Sequence, residues 1–171
     1  IEENSVGDML KDNVVCIPIH EENMFLSIWY SDSNIYFNQV KSNGDIALGK
    51  KLDVNIPQVR KIKATYSEDG LINLYMHNAE GSKLTKVVFD WKDSSIVEKK
   101  EFDESIYEFD VADNLVVYEG NGFIRISDGE AINRKIESND IKRIAMIKRD
   151  GHYHIALAEV EDWRNTLKYL T

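Results

Sequence analysis

Between residues 60 and 102, apolar and polar positions alternate in four short runs. They are Arg60-Lys-Ile-Lys-Ala-Thr-Tyr-Ser, Leu71-Ile-Asn-Leu-Tyr-Met-His, Lys83-Leu-Thr-Lys-Val-Val-Phe-Asp-Trp and Ile96-Val-Glu-Lys-Lys-Glu-Phe. Each run is closed by turn chemistry, at Glu68-Asp69-Gly70, Glu80-Gly81-Ser82 and Asp93-Ser94-Ser95. Alternation with period two, bounded by Gly, Asp and Ser, predicts strands, because successive side chains of a strand point to opposite faces.

The same unit recurs. An earlier copy runs through Val14 to Ile19, Met24 to Tyr30, Ile35 to Val40 and Asp45 to Leu52, and a later one through Ile106 to Val111, Leu115 to Tyr118, Phe123 to Ile126 and Ala131 to Ile136. A last copy has only three runs, Ile141 to Ile147, Tyr153 to Leu157 and Trp163 to Tyr169. The first turn of each copy falls at Asn23, Gly70, Asn114 and Gly151, close to the spacing of about 40 to 50 residues of four-stranded propeller blades. After these turns apolar residues alternate again, as Phe25, Ile72/Leu74/Met76, Val116/Tyr118 and Tyr153/Ile155/Leu157. The pattern therefore predicts an all-β, propeller-like array of about four antiparallel blades over residues 14–171. An up-and-down β-barrel is the alternative, although it needs fewer and longer strands. Ser138 to Lys148 can be drawn as a helix, but its Ile144-Ala-Met-Ile segment aligns with the first strand of the other units.

Residues 1–13 are polar and interrupted by Gly7, and are expected to form a lead-in or a closing segment. Val6 to Leu10 is the spare stretch that would complete the three-stranded last unit and close a small ring; otherwise the array stays open until a longer parent chain or a second copy completes it. The charged pairs Lys50-Lys51, Lys99-Lys100 and Arg134-Lys135 fall in the fourth run of each complete unit, which places them on outer edge strands, where charge deters pairing with other sheets. Pro18, inside the first run, predicts an edge strand or a bulge.

The chain resembles the divergent β-propeller repeats of bacterial surface and secreted proteins. Segments such as Ile35-Tyr-Phe-Asn-Gln-Val-Lys-Ser-Asn-Gly-Asp and Lys63-Ala-Thr-Tyr-Ser-Glu-Asp-Gly-Leu-Ile-Asn-Leu-Tyr are similar to those of sialidase-like propellers. The likeness is generic: Ser67-Glu-Asp-Gly70 is one residue shorter than an aspartate box and is not repeated, and neither a WD dipeptide nor a kelch double glycine occurs. What the resemblance implies is a recognition domain outside the cytoplasm or at the cell surface, attached to a larger protein.

Charge and composition narrow the function. The 171 residues carry 21 basic and 30 acidic side chains, a net charge of −9, with the bases dispersed; nucleic-acid binding is not expected. No apolar run approaches the roughly 20 residues of a membrane helix, so membrane insertion by this segment is not expected. The lone Cys16 excludes an internal disulfide, and its apolar surroundings predict a buried, inert thiol. The chain opens on Ile1 without an initiator Met or a signal-peptide core, which points to processing or to excision from a larger protein.

Candidate chemistry is sparse. His152 and His154 share one face of a strand and can in principle chelate a metal, with a third ligand from His20 or His77 of other units or from a carboxylate such as Glu159 or Asp162. Interblade hydrogen bonding is the expected role instead, and neither metal nor cofactor is expected. The acidic turns lack the alternating acids and central Gly of a calcium loop. Trp29, Tyr30, Trp91 and His77 are the candidate ligand contacts, the two tryptophans because each lies beside a polar turn. Neither a nucleophile elbow nor a phosphate-binding glycine loop occurs. The expectation is a non-catalytic module that binds a protein, peptide or carbohydrate. The alternatives are a glycoside-active or metal-assisted hydrolase with carboxylates at the propeller mouth, and a structural scaffold.

Overall fold

A computed structural model describes residues 14–79, 82–102, 105–128, 132–137, 141–161 and 164–170. Four separate antiparallel sheets follow one another along the chain as four blades of a β-propeller arrangement, which excludes the closed barrel. Blade 1 contains β1 (Val14–Ile19), β2 (Met24–Ser31), β3 (Asn34–Lys41) and β4 (Ile46–Leu52). Blade 2 contains β5 (Val59–Tyr66), β6 (Ile72–Asn78), β7 (Leu84–Asp90) and β8 (Ser95–Glu101). Blade 3 contains β9 (Glu108–Ala112), β10 (Leu115–Gly120), β11 (Phe123–Ser127) and β12 (Ile132–Glu137). Blade 4 is three-stranded among the described residues, with β13 (Ile141–Arg149), β14 (His152–Glu161) and β15 (Arg164–Leu170). Ile141 to Lys148, the described part of the stretch that could be drawn as a helix, is strand, because β13 pairs along its length with β14.

Within a blade each strand pairs with its sequence neighbour, so every connection is a hairpin. Between blades the first strands approach one another: β1 lies beside β5, β5 beside β9 and β9 beside β13. The first strands therefore line the inner wall, and β4, β8 and β12, with their Lys and Arg pairs, form the outer edges. Pro18 lies in β1, the edge strand of its sheet, in register with Phe25 of β2. The proposed closing strand, Val6 to Leu10, lies outside the described residues.

Stability resides between the blades. One face of blade 1, including Leu26, Ile28 and Phe37, packs on Ile72, Leu74 and Phe89 of blade 2. Tyr75 and Leu84 of blade 2 pack with Phe109, Val116 and Tyr118 of blade 3. Val117 and Ile124 of blade 3 pack with Ile144, Met146, Ile155 and Leu157 of blade 4. In blades 2 and 3 the alternation of the inner strands thus feeds two cores, one on either side of the sheet, because an inner blade is covered on both faces. Gly120 is required at one close approach: a Cβ there would lie 2.5 Å from the Ser105 carbonyl oxygen.

One expectation is overturned. Cys16 is exposed; it lies on the face of β1 that points away from blade 2, so its apolar neighbours in sequence, Ile17 and Ile19, are buried while it is not.

Candidate functional site

The four first turns gather at one end of the array, and their backbone explains their residues. Asn23, Asp113 and Asp150 have φ of 51°, 51° and 52°, and Gly70 and Gly151 have φ of 79°. Asn, Asp and Gly adopt this left-handed conformation at lowest cost. The demand for tight turns therefore leaves carboxylates at this end. A cleft of ≈ 390 Å³ opens there, lined by Tyr66, Ser67, Glu68, Asp69, Asp113, Asn114 and Lys148 from blades 2, 3 and 4.

Three carboxylates face one ammonium in this cleft. Lys148 Nζ donates to Asp113 Oδ2 at 2.6 Å, and this hydrogen bond and the Asp113 charge raise the lysine pKa. Ser67 is occupied with its own turn, donating through Oγ to the Leu71 carbonyl at 3.1 Å. Glu68 and Asp69 are exposed, so the cleft keeps a negative field that its own lysine does not cancel.

Below the cleft the inner wall is an interblade ion-pair ladder. Glu108 of β9 is buried; it pairs with Lys61 of β5, and Arg143 Nη1 of β13 donates to its Oε2 at 3.3 Å. Asp110, one step along β9, pairs with Lys63 at 3.1 Å and accepts the Met146 backbone N–H at 2.8 Å. Both carboxylates thus tie blade 3 to its two neighbours. A second cavity of ≈ 370 Å³, lined by Tyr107, Glu119, Ile141 and Lys142, lies at the other end between blades 3 and 4.

The candidate ligand contacts do not converge. Trp29 is half-buried on the outer face of blade 1, stacked on Tyr36 with ring centroids 5.9 Å apart. Tyr30 donates its hydroxyl to the Ile56 carbonyl at 2.9 Å. Trp91 is buried, with Lys92 Nζ 5.4 Å from its ring centre. His77 is 1% exposed and joins two blades: Arg60 Nε donates to its Nδ1 at 3.1 Å, and its Nε2 hydrogen-bonds the Ile106 carbonyl at 2.7 Å. With Nδ1 accepting and Nε2 donating, both bonds are satisfied by the neutral ring.

His152 and His154 do share the outward face of β14, and His154 Nδ1 bonds the Tyr169 hydroxyl. Glu159 is buried on the opposite face, paired with Lys168, and Asp162 and Trp163 lie outside the described residues. Among the described residues no group of three His, Cys, Asp or Glu side chains converges as metal ligands. The acidic cleft itself was missed by sequence reasoning. Its signal was present in the acidic residues at the first turns, Glu68, Asp69, Asp113 and Asp150, but nothing local says that separate turns meet.

Burial, and then the Arg60 charge, hold the His77 pKa below the ordinary imidazole value. The unfolded chain takes up a proton as pH falls through about 6.5, while the folded chain resists it. The stability that His77 contributes is therefore complete above that pH and is lost as pH falls toward its folded pKa. The urea midpoint is expected to drop between pH 7.5 and 5.5, and to drop less in His77→Gln. Equal pH profiles for parent and variant would show that His77 carries none of the effect.

No family model and no curated protein matches the sequence. Solved structures similar in shape include the Neurospora crassa Pan2 WD40 domain, at 9% identity and a TM-score of 0.48, covering 92% of this chain and 60% of that one. Another is the uncharacterized protein lmo1340 of Listeria monocytogenes, at 12% identity and a TM-score of 0.44, covering 94% and 55%. This chain therefore spans 60% and 55% of the lengths of these two chains. Likeness at this level carries nothing about function, and the propeller arrangement rests on the four sheets themselves.

Proposed function

We propose that the chain is a non-catalytic recognition module that binds a basic segment of a protein or peptide at the acidic first-turn end. The cleft carries this reading: Glu68 and Asp69 are exposed beside Tyr66, and Lys148 is held by Asp113. A Lys- or Arg-bearing segment would pair with the carboxylates and lay its aliphatic stem against the tyrosine. The carboxylates of the inner wall support a non-catalytic role, because Glu108 and Asp110 are each engaged by cations of neighbouring blades. A peptide is favoured over a sugar because the rings that would form a stacking platform, Trp29 and Trp91, lie apart, one on an outer face and one buried.

Fluorescence anisotropy with a labelled Lys/Arg-rich peptide, and with a Glu/Asp-rich peptide of equal length, tests the proposal. Exposed charges contribute about 0.5–1 kcal/mol each, so Glu68→Gln with Asp69→Asn is expected to weaken the basic peptide about fivefold or more. Equal binding of both peptides, or a double variant that binds as the parent does, would refute it.

A further inference from the structure

Arg60 is the extra residue of a bulge in β5. Val59 pairs with Asn78 and Lys61 with His77 of β6, so Arg60 has no partner across the ladder. Such an insertion re-aims a side chain, and here the guanidinium spans the seam between blades 2 and 3. Its Nε donates to His77 Nδ1 of its own blade at 3.1 Å, and its Nη2 donates to the carbonyl of Tyr107, the residue before β9, at 3.0 Å. The imidazole is fixed from its other side. Its Nε2 donates to the Ile106 carbonyl at 2.7 Å, and the ring meets that of Phe109 edge-on with centres 6.0 Å apart.

This clasp requires a neutral ring, because Nδ1 accepts from a guanidinium that is charged at any ordinary pH. A proton taken from solvent by Nδ1 sets two N–H donors and two positive charges face to face across 3.1 Å. Among the described residues, the charged groups acting on the ring are Arg60 and Lys61 from β5 and Glu108 from β9, while β7 places Leu84 opposite it. Glu108 is already engaged by Lys61 and Arg143. The buried ring is held by Ile106 and Phe109, so the exposed arginine is the group that leaves.

We infer that His77 and Arg60 form a proton-operated latch: uptake of one proton at Nδ1 expels the guanidinium, frees the Tyr107 carbonyl and loosens the Tyr107 rim of the second cavity. Burial and the Arg60 charge keep the ring neutral at pH 7.5, so the latch is shut there and opens in acid. The opening is local and precedes unfolding. Lys61 with Glu108, and the Ile106 N–H with the Ser82 carbonyl at 2.7 Å, still join the two blades. Tyr107 keeps the bond from its N–H to the Glu119 carbonyl at 2.9 Å and hinges on it. The cavity end of the array thereby gains a free guanidinium and a movable tyrosine.

Nitrogen-15 NMR of the whole chain, from pH 7.5 down to the onset of acid unfolding, reads the latch. His77 is expected to titrate below about 6.5. The Arg60 Nε–H signal should be lost, and the Tyr107 amide should shift, with the midpoint of the His77 ring. A histidine with a merely structural role would titrate without moving Arg60. Arg60→Met, at an exposed position, should raise the His77 midpoint toward the ordinary imidazole value. His77→Gln should keep the Arg60 signal across the whole range. A ring that stays neutral until the chain unfolds, or an Arg60 signal that survives the His77 titration, would overturn the inference. So would a His77 midpoint unmoved by Arg60→Met, or a Tyr107 shift that persists in His77→Gln at the parent's midpoint.

Discussion

Glu108→Ala is expected to lower the unfolding free energy by about 3–5 kcal/mol, the cost of removing one partner of a buried ion pair. The Glu108 side chain is 7% exposed and that of Lys61, on the neighbouring blade, 14%. Lys61 also donates to the Phe109 carbonyl at 2.8 Å and lies 4.9 Å from the Phe109 ring centre. Deleting the carboxylate leaves that ammonium buried with a single carbonyl and an aromatic face, too little to replace a counter-charge. Arg143, at 75% exposure, returns to water at small cost. The control is Glu108→Leu with Lys61→Met, which removes both charges and should recover most of the loss, since apolar replacements of a whole buried pair are often neutral. Urea unfolding read by near-ultraviolet circular dichroism measures it. A single variant within about 1 kcal/mol of the parent would mean that the pair is effectively solvated and does not staple the blades.

Phe89→Ala is expected to cost a further about 3–5 kcal/mol, by lost burial and by the cavity left behind. Phe89 is fully buried on β7 and meets Phe37 of β3 at 5.4 Å between ring centres, tilted by 47°. The two rings belong to different blades, so the substitution tests whether cohesion between sheets, rather than hairpin pairing within them, holds the array together. Phe37→Ala should cost a similar amount, and the double variant less than the sum, by about 0.5–1.5 kcal/mol for the lost ring pair. Additive effects would show that the rings fill separate pockets. Because each blade touches only its neighbours, the first loss is expected at the junction of blades 1 and 2, with blades 3 and 4 holding longer under denaturant.

The strands themselves were legible in the sequence, and for a local reason. Period-two alternation and the left-handed turn residues Asn23, Gly70 and Gly151 are properties of a few adjacent residues, and they mark each strand in chain order, including the short fourth unit. The basic pairs on outer edges follow from the same count. Pairing was less legible than position. β14 continues to Glu161 because β15 pairs with it along that length, and bulges in β5 and β13 shift the register without any mark in the sequence.

Which side of each strand meets a neighbour was decided only by the tertiary structure. Cys16 and Ile17 are adjacent and both apolar, yet the first is exposed and the second buried, because blade 2 covers one face of β1 and no described residue of another blade covers the other. His77 and His154 stand seven and three residues beyond equivalent turns. His77 is enclosed between two blades, whereas His154 points outward from the last one. The Glu108 and Asp110 ladder and the acidic cleft join residues from separate blades, so no window of sequence contains them. Alternation along a strand fixes that a residue has a face, since the backbone alone dictates the period. What lies against that face is set by chain tens of residues away, and that contact decides burial, protonation and the capacity to bind.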